Sequence, residues 1–247
     1  MRPEQSPLFG EGGSHLARYA TRFDTVEINS SFYRPHQKKT YARWAATVPP
    51  DFRFSVKLPK AITHDARLID ADEAIAKFSN EVAGLGDKLG GVLVQLAPSL
   101  GFQAEVAETF FGTLRRWTAA PVACEPRHPS WFTSDVDKLW LSYLITRAAA
   151  DPACCPAASH VSGEGPLRYW RWHGSPRMYF SEYDDVVLKQ LAAQLHLQAG
   201  AGRTAWCIFD NTALGHAATD AIRLRELCGA VAEALPVRRC VSEFDKG

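Results

Sequence analysis

What constrains this chain most is a repeated change of hydrophobic period. Short β-rich runs of period two alternate with stretches whose apolar residues recur at helical spacing, which is the mark of βαβ units and hence of a parallel sheet. Strands read at residues 25–29, 53–57, 91–96, 121–125, 146–151, 168–173 and 204–210. Between them lie the helical stripes Ile75/Phe78/Val82, Ala107/Phe110/Phe111/Leu114, Val136/Leu139/Trp140/Tyr143 and Val187/Leu188/Leu191/Leu195. Each stripe has one face to bury against the sheet. The length, 247 residues, suits a single α/β domain over the whole chain, a TIM-like (β/α) barrel of parallel strands with outer helices, which takes about 250 residues. Residues 152–166, rich in Pro, Gly and Ser, read as a loop without a helix and not as a domain boundary.

A closed barrel of this type needs eight strands, and seven are visible. The first strand is expected to be missing, because residues 1–13 carry Pro3, Pro7, Gly10, Gly12 and Gly13 where an apolar strand belongs. The sheet is therefore expected to stand open between 25–29 and 204–210. Unpaired edges invite cover, so residues 3–13 are expected to lie across the gap, with a partner chain, including another copy, as the alternative. A start placed too late in the reading frame would account for the absence.

Composition narrows the partners. Lys plus Arg number 28 against 27 Asp plus Glu, so no global field recruits nucleic acid or an anionic membrane. No signal peptide and no run of about 18 apolar residues is visible, and a cytoplasmic location is expected. The six cysteines, Cys124, Cys154, Cys155, Cys207, Cys228 and Cys240, show no paired spacing and are expected as reduced thiols. Cys154-Cys155 lacks the C-x-x-C spacing of zinc or redox sites and no His pair at i, i+4 accompanies it, so neither a metal nor another cofactor is expected.

The polar residues recur at one structural level. Active sites of such barrels lie at the C-terminal strand ends, and nearly every strand here closes on a polar group: Glu27 and Asn29, Lys57, Gln95, Glu125 with Arg127 and His128, Asp151, Arg171 with His173, and Asp210 with Asn211. Alternation puts Glu27 and Asn29, and Ser55 and Lys57, on the face opposite Val26, Ile28, Phe54 and Val56, so the polar face points inward. An unpaired lysine there would be costly, and Lys57 is expected to pair with Glu27 or Glu125. The bland reading is a structural ion-pair network closing the core. Trp170 and Trp172 alternate with Arg171 and His173 and are expected to face the helices, whereas Tyr33 and Trp131 sit in loops where they could stack on a sugar or base. Arg34, Arg127 and Arg177 could clamp a phosphate.

At these same residues the chain resembles the YecE-like family, the domain of unknown function numbered 72. The resemblance runs through Phe23-Asp24-Thr25-Val26-Glu27-Ile28-Asn29-Ser30-Ser31-Phe32-Tyr33, Phe52-Arg53-Phe54-Ser55-Val56-Lys57 and Gly86-Asp87-Lys88-Leu89-Gly90. It continues through Val94-Gln95-Leu96, Glu125-Pro126-Arg127-His128-Pro129-Ser130-Trp131-Phe132, Tyr169-Trp170-Arg171-Trp172-His173-Gly174 and Phe209-Asp210-Asn211-Thr212, covering about 14–227. It implies a TIM-like barrel without an established activity. The family's opening glycine-tryptophan-serine segment is absent, and its Pro-Pro-Ser reads Ala97-Pro98-Ser99.

Three functions compete. Leading is an acid/base or hydrolytic enzyme on a small phosphorylated or sugar-like ligand: Glu27, Glu125 and Asp151 or Asp210 serve as acid and base, Lys57, Arg127 and His173 stabilise negative charge, and Tyr33 and Trp131 hold the ligand. Asn29, Arg34, Gln95, His128, Arg171 and Asn211 complete the binding set. Second is a metal-assisted phosphodiesterase on nucleic acid with Glu27, Glu125, His128, Asp151, His173 and Asp210 as ligands, which the balanced charge and the nearby Lys57 and Arg127 disfavour. Third is a binding barrel without turnover. For Lys57, a paired structural role is preferred to a Schiff base.

Overall fold

Thr25, Val26, Ile28, Phe54, Val56, Val92 and Val94 are residues that fit a pleated, half-buried surface, and they build the first strands of a largely parallel sheet. The computed structural model describes residues 7–234. The strands are β1 (Thr25–Ile28), β2 (Arg53–Lys57), β3 (Leu89–Gln95), β4 (Val122–Glu125), β5 (Ile145–Arg147), β6 (Ala149–Asp151), β7 (Ser162–Gly163), β8 (Leu167–Trp172) and β9 (Thr204–Phe209). The helices are α1 (His15–Tyr19), α2 (Ser30–Tyr33), α3 (Lys38–Thr47), α4 (Asp72–Val82), α5 (Ala104–Trp117), α6 (Ser134–Ser142), α7 (Asp185–Gly200) and α8 (His216–Ala234).

Pairing follows the order β1-β2-β3-β4-β5-β7 and β6-β8-β9, parallel throughout except β5 with β7. The expected strand at 146–151 is broken at Ala148. There the chain passes from β4, which still accepts the Ala148 N–H at Cys124 O (2.7 Å), to β8, which pairs β6. The loop 152–166 also differs from expectation, since it holds a short helical turn at Pro156–Ser159 and the strand β7.

Two apolar layers result. Between sheet and helices lie Ile28, Phe54, Val56, Val92 and Val94 with Ile75, Phe78, Phe110, Phe111, Leu114 and Trp140, and further along Trp170 with Leu188, Leu191 and Leu224. Trp170 thus faces the helices, as alternation required. On the inner face Leu93, Ala123, Ala148, Leu167 and Tyr169 form a separate cluster with Trp206 and Ile208 against it. The sheet wraps far enough that Trp206 of β9 reaches β3: a Cβ added at Gly90 would lie 2.4 Å from the Trp206 ring. Only glycine permits that approach.

Among the described residues β1 pairs with β2 alone and β9 with β8 alone, so each is an end strand of its sheet, as β7 and β6 are of theirs. Residues 7–13 do not span the expected gap. They lie along α1, through Gly10 N to Thr21 Oγ1 (2.8 Å), Arg18 Nε to Gly10 O (3.1 Å) and Arg22 Nε to Leu8 O (2.8 Å), and of them Phe9 lines the cleft. Residues 3–6 fall outside the described residues. None of the five described cysteines is in a disulfide, and Cys240 is outside them. No described helix is long and apolar enough to cross a membrane.

Candidate active site

Strand alternation carries Glu27, Lys57, Gln95, Glu125, Arg171, His173 and Asp210 to one level of the inner face, above the apolar cluster. Arg171 is the hub, with its side chain fully buried. Its Nε and Nη2 grip Glu27 at 2.7–3.2 Å, its Nη1 reaches Glu125 Oε2 at 2.5 Å, and its Nη2 lies 3.4 Å from Asp210 Oδ2. Glu27 also accepts from the Tyr169 hydroxyl at 2.7 Å. Glu125 Oε2 accepts from Gln95 Nε2 (2.9 Å), while its Oε1 takes Arg127 Nε (3.0 Å) and His173 Nε2 (3.2 Å). His173 Nδ1 meets Asp210 Oδ2 at 3.3 Å.

Each oxygen of Glu27 and Glu125 therefore already has donors. Burial alone would raise the Glu125 carboxyl, but Arg171, His173 and Arg127 hold it well below the usual range. Burial opposes a charge on His173 too, yet its hydrogen bonds to Asp210 and Glu125 raise it above an ordinary histidine. Asp210 is lowered: burial works against this, and His173, Arg171 and Lys57 outweigh it. Its side chain keeps 27% exposure and its Oδ1 makes no hydrogen bond with a described residue, so it is the carboxylate with an oxygen open to a ligand.

Lys57 departs from expectation. No carboxylate among the described residues comes within salt-bridge distance; instead its Nζ lies 4.1 Å over the Phe32 ring. The reason is competition. A planar guanidinium can engage two carboxylates at once with fixed forks, which a single ammonium cannot, and Arg171 has taken both. Burial, and then Arg171, push the Lys57 ammonium down to about 8, against the pull of Glu27, Glu125 and Asp210.

Other expectations are corrected. Asp151 stands level with Trp172 in the β6–β8 register and accepts from Tyr183 Oη at 2.7 Å, so it belongs to the helix-facing side, because Ala148 and Ala150 take the inward positions. Trp131 is 1% exposed, donates to Leu100 O at 2.8 Å and stacks on Trp140 at 5.8 Å: the turn Pro129–Trp131 folds it back into the core, away from any ligand. His128 serves that turn, accepting from Ser130 N at 3.2 Å. Asn211 is buried and donates to Ser181 O and Asp220 Oδ2, tying the end of β9 to α8. Tyr33 and Arg34 are exposed beyond the inner face, and Arg177 lies over Phe180 at 4.0 Å. Asn29 borders the cleft between β1 and β9.

Sequence reasoning assigned no role to His64, Tyr169 or Tyr179. His64 lies in a wide helical turn, Ala61–Asp65, that follows β2, and is held below its ordinary value by burial, then by Lys57, Lys60 and Arg127. Its place directly after a strand end was the available signal. Tyr169 shares the inward alternation of Arg171. Tyr179 contacts the His173 ring edgewise at 6.0 Å and adopts φ +70°, a conformation that tends to mark functional loops. Among the described residues no three His, Cys, Asp or Glu side chains are placed to hold a metal ion. The main inward carboxylates instead face Arg171.

A family profile described as "Protein of unknown function DUF72" matches residues 7–241. Among curated proteins, the UPF0759 protein YecE of Escherichia coli K12 is 31% identical over 36% of this chain and 33% of its own length. The UPF0759 protein YunF of Bacillus subtilis is 26% identical over 56% of this chain. The matches thus span a third to about half of these relatives' lengths, 33% and 51%. Crystal structures of DUF72 family proteins from Enterococcus faecalis (TM-score 0.76, 23% identity, 87% of this chain and 93% of that one) and Thermotoga maritima (TM-score 0.75, 22% identity, 93% and 91%) share the fold.

Proposed function

This chain belongs to the DUF72 family, and on that premise we propose that it is a cytoplasmic TIM-type barrel enzyme of acid/base or hydrolytic type. It acts on a small phosphorylated ligand at the mouth formed by the C-terminal strand ends. The observation that carries this reading is Lys57: a buried lysine without a carboxylate partner, at about 8, beside Arg127 and His64. A structural lysine would be paired or snorkel to water. One held uncharged-ready in a site that faces further cations is suited to meet an anion and to exchange a proton. At pH 7 about one Lys57 in ten would be neutral and able to act as a base.

The roles divide accordingly. Arg127 and protonated His173 offset negative charge, Lys57 and the open Oδ1 of Asp210 move protons, and Glu27 and Glu125 hold Arg171 and His173 in place. Isothermal titration calorimetry with a panel of sugar phosphates and the matching neutral sugars tests the reading. Phosphorylated members should bind, and Lys57→Met and Asp210→Asn should each lower turnover of any substrate found by at least about 100-fold. Equal binding of neutral sugars, or unaltered phosphate binding in Lys57→Met, would overturn it.

A further inference from the structure

Sequence alone favours a paired, structural Lys57, because carboxylates crowd its strand end. The fold removes that ground: Arg171 holds both Glu27 and Glu125, and Lys57 Nζ has no hydrogen-bond partner among the described residues. The amine is nonetheless fixed in place. Ser31 Oγ donates to Lys57 O at 2.7 Å, which ties α2 to the end of β2 and sets the Phe32 ring 4.1 Å from Nζ. His64 packs edgewise on the same ring at 5.0 Å. Nor is the amine sealed off. Lys57 keeps 7% exposure, and the fully buried side-chain polar atoms that lack a partner are others, Thr25 Oγ1 and Ser55 Oγ among them, so Nζ itself reaches water. A desolvated primary amine without a counter-ion, held in one position and open to a ligand, is the arrangement in which lysine attacks a carbonyl.

We propose that Lys57 forms an imine with its ligand, and that the phosphorylated ligand therefore carries a free aldehyde or ketone. This rests on the phosphate site proposed above and takes the acid/base arm of that reading. In the step, neutral Nζ places its electron pair on the carbonyl carbon while the C=O π pair moves to oxygen. Both nitrogen protons then pass to that oxygen, which leaves as water as the C=N bond forms. Asp210 is the group placed to carry them. Its Oδ1 is open, and it lies close enough to Lys57 that each shifts the other, Asp210 downward, so that it starts as a carboxylate able to accept. Burial keeps the amine near 8, so a neutral fraction is on hand at neutral pH. Once protonated, the imine draws electrons from the neighbouring carbon and loosens its proton, which gives an acid/base site on a sugar phosphate a carbon to work on.

Reductive trapping on the full chain decides it. Glycolaldehyde phosphate and dihydroxyacetone phosphate, one aldehyde and one ketone, are each added with sodium cyanoborohydride, which reduces C=N to a stable secondary amine. Peptide mass spectrometry should find the adduct on Lys57 at least about tenfold more than on Lys60, whose exposed ammonium pairs with Asp65 at 2.5 Å. Glycerol phosphate, which lacks the carbonyl, should bind in calorimetry and suppress the trapping without leaving an adduct. Lys57→Arg keeps the positive charge but cannot form an imine, so it should still bind glycerol phosphate and lose the adduct. Carbonyl phosphates that bind in calorimetry yet leave no adduct on Lys57 would overturn the imine and leave the phosphate site standing. Failure of all three phosphates to bind would overturn both. Equal labelling of Lys57 and Lys60 would also overturn the imine, since it would mark the general reactivity of amines.

Discussion

A lysine inside a protein is a cost unless something answers its charge, and Lys57 has only an aromatic face and carboxylates already claimed by Arg171. Between its ordinary 10.5 and its folded value of about 8 the unfolded chain binds more protons, so this residue makes stability rise with pH across that window; below 8 the full cost, about 3 kcal/mol, persists. Lys57→Met keeps the contact with Phe32 and removes the charge. It is therefore expected to stabilise the protein at pH 7 by about 1–3 kcal/mol in urea denaturation while ending phosphate binding, and a loss of stability would mean that Lys57 has a structural partner. The sequence was legible up to this point. Alternation gave the inward set Glu27, Lys57, Glu125, Arg171 and Asp210, but which cation would win the carboxylates depends on guanidinium geometry in three dimensions. Asp151 was misplaced for a simpler reason: its position at a strand end was weighed, and its phase against Ala148 and Ala150 was not.

At the level of elements, β8 matters because its end supplies His173, held between an acid from β4 and one from the end of β9. His173 is raised in the fold, so its contribution is fully present below the ordinary 6.5 and is lost as pH rises through the higher folded value. Glu125 and Asp210 are lowered, so theirs is present above the ordinary 4.5 and 3.8 and is lost as pH falls. These three groups together are expected to make the thermal midpoint fall as pH drops below about 4.5 and decline as pH rises past 6.5, before the relief of the Lys57 cost above about 8 raises it again. His173→Gln should flatten that alkaline decline and retain the acid limb. Parallel curves for the two proteins would show that His173 is not protonated in the fold. The helix-facing layer was the most legible part, since the stripes at Ile75/Phe78/Val82 and Ala107/Phe110/Phe111/Leu114 are buried as their spacing required. Trp131 escaped because a three-residue turn, not a period, returns it to the core.

Across the whole molecule the inner face has two levels, an apolar floor and an ionic mouth, and the wrap of the sheet decides whether both are closed by the same strands. The contact of Trp206 with Gly90 is the tightest sign of that wrap, joining the last described strand to the third. Sequence could mark Gly90 as a weak point in a strand but not name what approaches it, because the partner is over a hundred residues away. Two effects of opposite sign compete in Gly90→Val. A β-branched residue would ordinarily strengthen a strand by up to about 1 kcal/mol. Here its Cβ would fall 2.4 Å from the Trp206 ring and 2.9 Å from Arg53 Cβ, and overpacking of that kind costs about 1–3 kcal/mol or more. Net destabilisation is therefore expected. Trp206→Leu, itself destabilising through a cavity, should recover part of the loss when combined with Gly90→Val, giving a favourable coupling in a double-mutant cycle. Additive effects would mean that β9 does not reach β3 in solution, and the two-level interior would have to be redrawn with the sheet more open than it stands here.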